Sequence, residues 1–139
     1  MSDTCTIATL RVRMGHSDAH YGGNLVDGAR ILSLFGDLVT EIAIRTDGDE
    51  GLLSEYRSIE FTGPVHAGDY IEAVARLVRR SRLRRVVEFE AHKVISARYD
   101  LGPSAAQILS EPTLVCRAIG TTVVPVSSAR ATELADALR

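Results

Sequence analysis

Residues 25–46 read LVDGARILSLFGDLVTEIAIRT, and this stretch decides the fold. Ile31, Phe35, Leu38 and Ile42 recur at helical spacing, and Leu32, Leu34 and Val39 widen the stripe. A helix with so broad an apolar face has to be wrapped by another layer. Asn24 reads as its N-cap, with Asp27 favourable at the positive end of the helix dipole. Gly48 stands where a helix ending near Thr46 takes a left-handed residue. The helix is then about 20 residues, or roughly 30 Å, long.

On either side the period changes to two. Residues 6–14 alternate, with Ala8, Leu10, Val12 and Met14 on one face and Thr9, Arg11 and Arg13 on the other. After the helix, SEYRSIEF (54–61) and residues 70–78, 83–96 and 113–124 are rich in β-branched residues and read as strands. Between the last two, Ser104 and Gln107 have capping-box spacing and suggest a short helix. Residues 126–139 are Ala-rich and read as a tail or short terminal helix. The order is strand, long helix, four strands, all within one domain of residues 1–139. The simplest way to bury the stripe is an α+β hotdog arrangement, an antiparallel sheet wrapped around one central helix. Such a domain leaves a sheet edge unpaired, so a homodimer is expected as the minimum unit, with a trimer of dimers as a larger form.

Composition narrows the function. The chain has 139 residues, 45% hydrophobic and 24% charged, which suits one globular domain and excludes disorder as its main state. Sixteen basic against 18 acidic residues give a net charge of −2, and Trp is absent. Neither a basic nucleic-acid footprint nor a base-stacking platform is present, so no nucleic-acid partner is expected. No apolar run approaches the ~20 residues of a membrane span. Asp3, Arg11 and Arg13 interrupt what would be a signal peptide, so a cytoplasmic protein without a membrane partner is expected. Cys5 and Cys116 lack metal or disulfide spacing and read as reduced thiols, and no metal site is expected from His16, His20, His66 and His92.

Four features could carry chemistry. The first is DAHYGGNLVDGAR (18–30), where two glycines and polar side chains precede the helix start. Free backbone N–H groups at Val26, Asp27, Gly28 and Ala29 would make an anion site there, and the alternative is a loop that only turns the chain. Asp18, His20 and Tyr21 flank it. The second is the polar helix stripe of Arg30, Ser33, Asp37, Glu41 and Arg45. It is either a solvated face or a carboxylate presented into a cleft. TDGDEG (46–51) is an acidic turn without calcium-loop spacing, whose charge would also suit an ammonium group. RRSRLRR (79–85), with Arg76, places six arginines within ten positions. It is either a solvated hairpin or a binding site for a small phosphorylated ligand.

The strings DAHYGGNLVDGARILSLFGDLVTEI (18–42), DGDEGL (47–52), IEFTGPVHAGDYIEA (59–73), FEAHKV (89–94) and CRAIGT (116–121) resemble the CoA-dependent ammonia-lyases of the hotdog superfamily. These enzymes of amino-acid fermentation act on β-alanyl-CoA and 3-aminobutyryl-CoA, and DGDEGL looks closer to the 3-aminobutyryl branch. PVHAGD and the helix start also resemble acyl-CoA thioesterases, in which an Asp on the central helix acts in hydrolysis. The usage of 15 Arg to one Lys departs from the clostridial pattern. The resemblance implies reversible loss of ammonia from a β-aminoacyl-CoA. No cofactor is implied, CoA being part of the substrate. Asp37 is the first candidate base and Glu41 the second. Asp18, His20 and Tyr21 line or order the pocket, and the amides of residues 26–29 hold the thioester oxygen. Arg79, Arg80, Arg82 and Arg84 are candidates for the CoA phosphates. A thioesterase or a non-catalytic acyl-CoA-binding module is the alternative.

Overall fold

The computed structural model describes residues 6–125. The elements run β1 (Ile7–Arg13), α1 (Gly28–Asp47), β2 (Leu52–Phe61), β3 (Tyr70–Arg80), β4 (Arg84–Ala97) and β5 (Ala106–Val123). The strands form one antiparallel sheet in the order β1-β3-β4-β5-β2. One face of it closes over α1. The stripe read from the sequence is the buried face: Ile31, Leu34, Phe35, Leu38, Val39, Ile42 and Ala43. They meet Ala73, Ala75 and Leu77 of β3, Val87, Phe89 and Ala91 of β4 and Cys116 and Ala118 of β5. Phe35 stacks on Phe89 with ring centroids 4.9 Å apart, and Tyr56 of β2 meets the same ring edge-on at 6.0 Å. Each large apolar side chain in that layer contributes roughly 1.5–3 kcal/mol by leaving water.

The sheet bends because its registers slip. Val78 is an extra residue of β3 where pairing passes from Leu77↔Val87 to Arg79↔Val86, and β2 slips at Leu53/Glu55 and at Tyr56/Ser58. The largest irregularity sets residues 109–112 of β5 against Val94 alone. Pro112, which cannot donate to a ladder, lies in it. Extra residues raise local twist and curl a sheet.

The C-terminus of the helix falls at Asp47, one residue past the expected Thr46. Gly48 has φ 68°, and its amide donates to the Ile44 carbonyl at 2.9 Å, closing the C-terminus. At the N-terminus the structure corrects the reading. Asp27 occupies the cap position, while Asn24 has a left-handed φ of 62° in the preceding loop. The short helix at Ser104 does not form. Residues 101–105 are a turn and Gln107 already belongs to β5, its Oε1 accepting from Arg98 Nη1 at 2.7 Å. Local capping spacing lost there to strand pairing with β4. Cys5 and the expected tail of residues 126–139 lie outside the described residues.

One feature of the arginine run was not legible in the sequence. Arg85 is 2% exposed and faces α1, not solvent. Its Nε and Nη2 bind the two carboxylate oxygens of Asp47, at 3.0 and 2.5 Å, and Asp47 is itself fully buried. Arg85 Nη1 donates to the carbonyls of Ser81 and Arg84. The last residue of α1 is thereby fixed to the β3–β4 hairpin. Removing one partner of a buried pair costs about 3–5 kcal/mol, whereas replacing both by apolar groups is often near neutral. Asp47→Ala should therefore lower the midpoint of thermal unfolding by roughly 10 °C or more. The Asp47→Ala/Arg85→Met double variant, scanned by calorimetry, should recover much of that loss.

Candidate active site

Residues 14–27 carry the chain from β1 to the start of α1 and are held by backbone bonds at both ends. The Met14 amide donates to Asp69 at 2.8 Å, and Gly68 donates back to Met14 at 2.7 Å. At the far end Val26 donates to Val65 at 2.8 Å and Ala67 to Asn24 at 2.9 Å. The left-handed Gly23 and Asn24 in succession let the loop reverse between these anchors. Asp18 orders its middle. Oδ2 accepts from the Gly15 amide at 2.8 Å and Oδ1 from Arg30 Nε at 2.9 Å, which ties the loop to the first turn of α1. His20 and Tyr21 pack edge to face at 4.9 Å on the surface of that loop, Tyr21 remaining 55% exposed.

The helix start offers fewer free donors than the sequence suggests. The Val26 amide is committed to Val65, which removes it from the expected anion site. Gly28 and Ala29 are first-turn positions with no intrahelical acceptor. Gly28 also sits beneath the Phe61 ring of β2. A methyl group there would lie 2.5 Å from the ring, so only glycine leaves Phe61 in place.

The two helix carboxylates differ. Glu41 is paired with Arg45 at 2.7 Å. Asp37 is exposed and has no hydrogen bond or ion pair within the described chain. It shares an exposed face with Ser33, directed away from the sheet of its own chain. Of the candidate phosphate-binding arginines, Arg79, Arg82 and Arg84 are exposed around the hairpin. Arg80 is half-buried, 3.4 Å from Asp47. The acidic turn contributes its first carboxylate, Asp47, to the buried pair with Arg85.

Sequence reasoning also missed Asp69. Its carboxylate is buried and accepts from the His66 amide at 2.8 Å and the Ala97 amide at 2.7 Å, with Lys93 Nζ at 3.1 Å. Asp69 thus joins the loop behind the helix start to β4. In the sequence Asp69 stood out only as part of PVHAGD. On the core side, burial raises the pKa of Tyr56, and its hydroxyl is the buried side-chain polar atom left without a partner among the described residues. Among those residues no three of His, Cys, Asp and Glu gather as a metal ion would require. No described helix is long and apolar enough to cross a membrane.

A single helix in the curl of a five-stranded antiparallel sheet defines a hotdog-fold protein. A hexameric hotdog-fold thioesterase of Campylobacter jejuni has the same arrangement, with a TM-score of 0.69 over 85% of this chain and 83% of its own, at 19% identity. The β-alanyl-CoA:ammonia lyase of Clostridium propionicum superposes more closely, with a TM-score of 0.85 and 34% identity over 88% of this chain and 87% of that one. The 3-aminobutyryl-CoA ammonia lyase of Acetoanaerobium sticklandii is 51% identical over 123 residues, 88% of this chain and 98% of the relative. The chain belongs to this family of carbon–nitrogen lyases acting on CoA thioesters. No family model matches it.

Cys116 is unsuited to act as a nucleophile in such a site. It is fully buried, and burial pushes its thiol up to about 11. The reactive thiolate is then about a thousandth of the population at pH 8. Iodoacetamide at pH 8 should leave the Cys116 peptide unmodified in the folded protein and alkylate it in guanidinium, as read by peptide mass.

Proposed function

We propose that the chain eliminates ammonia reversibly from a β-aminoacyl-CoA, 3-aminobutyryl-CoA ahead of β-alanyl-CoA, to give the enoyl-CoA. The observation that carries this is 51% identity along 98% of a 3-aminobutyryl-CoA ammonia lyase. The geometry of the helix start and of α1 supports this reading. A base takes a proton from Cα, which the thioester has acidified. The thioester oxygen becomes an enolate and is held by the Gly28 and Ala29 amides, where the helix dipole favours negative charge. The C–N bond then breaks and the ammonium group leaves as ammonia. No cofactor takes part, and CoA is the substrate's own handle.

Asp37 is the base in this reading. It lies nine residues past Gly28, or two and a half turns at about 3.6 residues per turn. That places it on the opposite side of α1 from the Gly28 position facing Phe61. It therefore serves the helix start of a second copy, not its own. The exposed edge strand β2, with Leu52, Ile59 and Phe61 partly or largely exposed, supplies the edge for that copy. Pairing of β2 with β2 about a two-fold gives the homodimer, and three such dimers would give the hexamer. Glu41 is the second candidate, held back by its pairing with Arg45. Asp18 orders the loop, and His20 and Tyr21 line its mouth. Arg79, Arg82 and Arg84, with Arg80 behind them, face the phosphates of CoA. A CoA-thioester substrate is consistent with a cytoplasmic site of action.

The purified protein should release ammonia, but no free thiol, from 3-aminobutyryl-CoA or β-alanyl-CoA as the conjugated thioester absorbance rises. Thiol without ammonia would make it a thioesterase, and CoA binding with neither product a binding module. Asp37→Asn should lower kcat by at least ~100-fold, the low end for a positioned general base, with little change in thermal stability. Hybrids of Asp37→Asn with Gly28→Val protomers should regain part of the activity, since one of the two sites in each hybrid keeps both groups. Full activity of Asp37→Asn alone would move the role to Glu41 or Asp18.

A further inference from the structure

The last residues of β2 place apolar side chains on the inner face of the sheet without covering them. Ile59 and Phe61 stand opposite Ala118 and Cys116 of β5, both buried in the core, so their side chains share the inner face. Glu60 between them turns outward and pairs with Arg117 at 3.1 Å. Inner-face residues are normally closed off by the helix, yet Ile59 is 36% exposed and Phe61 56% exposed. Phe61 meets α1 at Gly28, where its ring lies 2.5 Å from the position a Cβ would take. Leu32, one turn further along the same side of the helix, is only partly buried. Phe61, Ile59 and Leu32 therefore form an open apolar strip between β2 and α1, and the strip begins at the helix start.

An aromatic ring held beside the first-turn amides offers a large apolar surface to whatever those amides hold. With the thioester oxygen on the Gly28 and Ala29 amides and the Cα proton taken by Asp37 of a second copy, Cα and Cβ lie between the two, against the ring. Pairing of β2 with that copy uses its backbone edge, which leaves the ring on the inner face. In the four-carbon substrate Cβ carries an ammonium group and a methyl group, and in β-alanyl-CoA it carries the ammonium group without the methyl. A charged ammonium is drawn to carboxylate and water, whereas a methyl group gains by leaving water. We propose that Phe61 is a specificity-determining residue, whose exposed ring packs against the methyl group at Cβ and favours the four-carbon substrate over β-alanyl-CoA. Gly28 is part of the same device, because a side chain there would push the ring aside. The assignment rests on the lyase reading above.

The test compares kcat/KM for 3-aminobutyryl-CoA with that for β-alanyl-CoA in the parent, in Phe61→Leu and in Phe61→Ala. The preference for the four-carbon substrate should fall about tenfold in Phe61→Ala, the low end for one methyl group in an apolar pocket. Phe61→Leu keeps apolar surface and should retain part of the preference. A disturbed helix start would slow both substrates equally and leave the ratio at the parent value, which overturns the proposal. An unchanged ratio with dissociation of the oligomer assigns the ring to the subunit interface and overturns it as well. Calorimetry with butyryl-CoA and propionyl-CoA, which have no amino group to lose, keeps the test independent of turnover. The parent should bind butyryl-CoA about fourfold more tightly, as one buried methylene implies, and Phe61→Ala should bind the two nearly alike. The same preference in parent and variant overturns the proposal. If neither amino substrate turns over in the parent, the lyase reading fails, and the calorimetric comparison still decides the role of Phe61.

Discussion

Everything in this molecule follows from the need to cover a helix that is apolar over nearly half its circumference. A flat sheet touches a helix along a line, whereas α1 buries residues at seven positions spread around its axis. Only a strongly bent sheet reaches them all, and the bend is supplied by the register slips in β2, β3 and β5. The helix is then held at both ends by buried carboxylates. Asp47 closes its C-terminus onto Arg85, and Asp69 ties the segment behind its N-terminus to β4. Hydrophobic burial is non-directional and would tolerate sliding along the groove. The two carboxylates, each with directional hydrogen bonds, fix where along the groove α1 stops.

That fixed position gives the site its geometry. The helix start cannot drift relative to β2, so Gly28 stays beneath Phe61 and the first-turn amides keep one direction. Asp18 restrains the loop against the same turn through Arg30. Asp37 is left on the face that the chain's own sheet does not cover, unpaired, while Glu41 one turn on is neutralised by Arg45. Of the two carboxylates, Asp37 is the one without an ion pair in the described chain.

The fold was legible because its main signal is periodic. The stripe from Ile31 to Ile42 and the alternation in residues 6–14 reflect burial, and the structure places both as read. The terminus at Gly48 was legible because a left-handed residue is needed there. Asn24 and Ser104 misled because local capping chemistry competes with long-range pairing, which a sequence window does not contain. The roles of Asp47, Arg85 and Asp69 were hidden for the same reason. Asp47 sits in an acidic turn and Arg85 in a basic run, and each looks solvated until the fold joins positions 38 residues apart. The loop and helix residues were located by motif, but their division of labour, such as Val26 binding Val65 and not an anion, is a tertiary fact.

The strand order also dictates when the molecule can be completed. β2 leaves the helix early, yet its partner in the sheet is β5, the last strand of the described chain, with Glu60 waiting for Arg117. β1 likewise waits for β3, and α1 for the hairpin that carries Arg85. Contacts of such long sequence separation close slowly, on a scale of milliseconds to seconds in all-β chains. As the chain emerges from a ribosome, β1, β3 and β4 can cover most of the apolar face of α1, but both edges of β2 stay unpaired until β5, the last described strand, is made. The sheet is therefore closed late, and β2 is the element that waits longest for its neighbour.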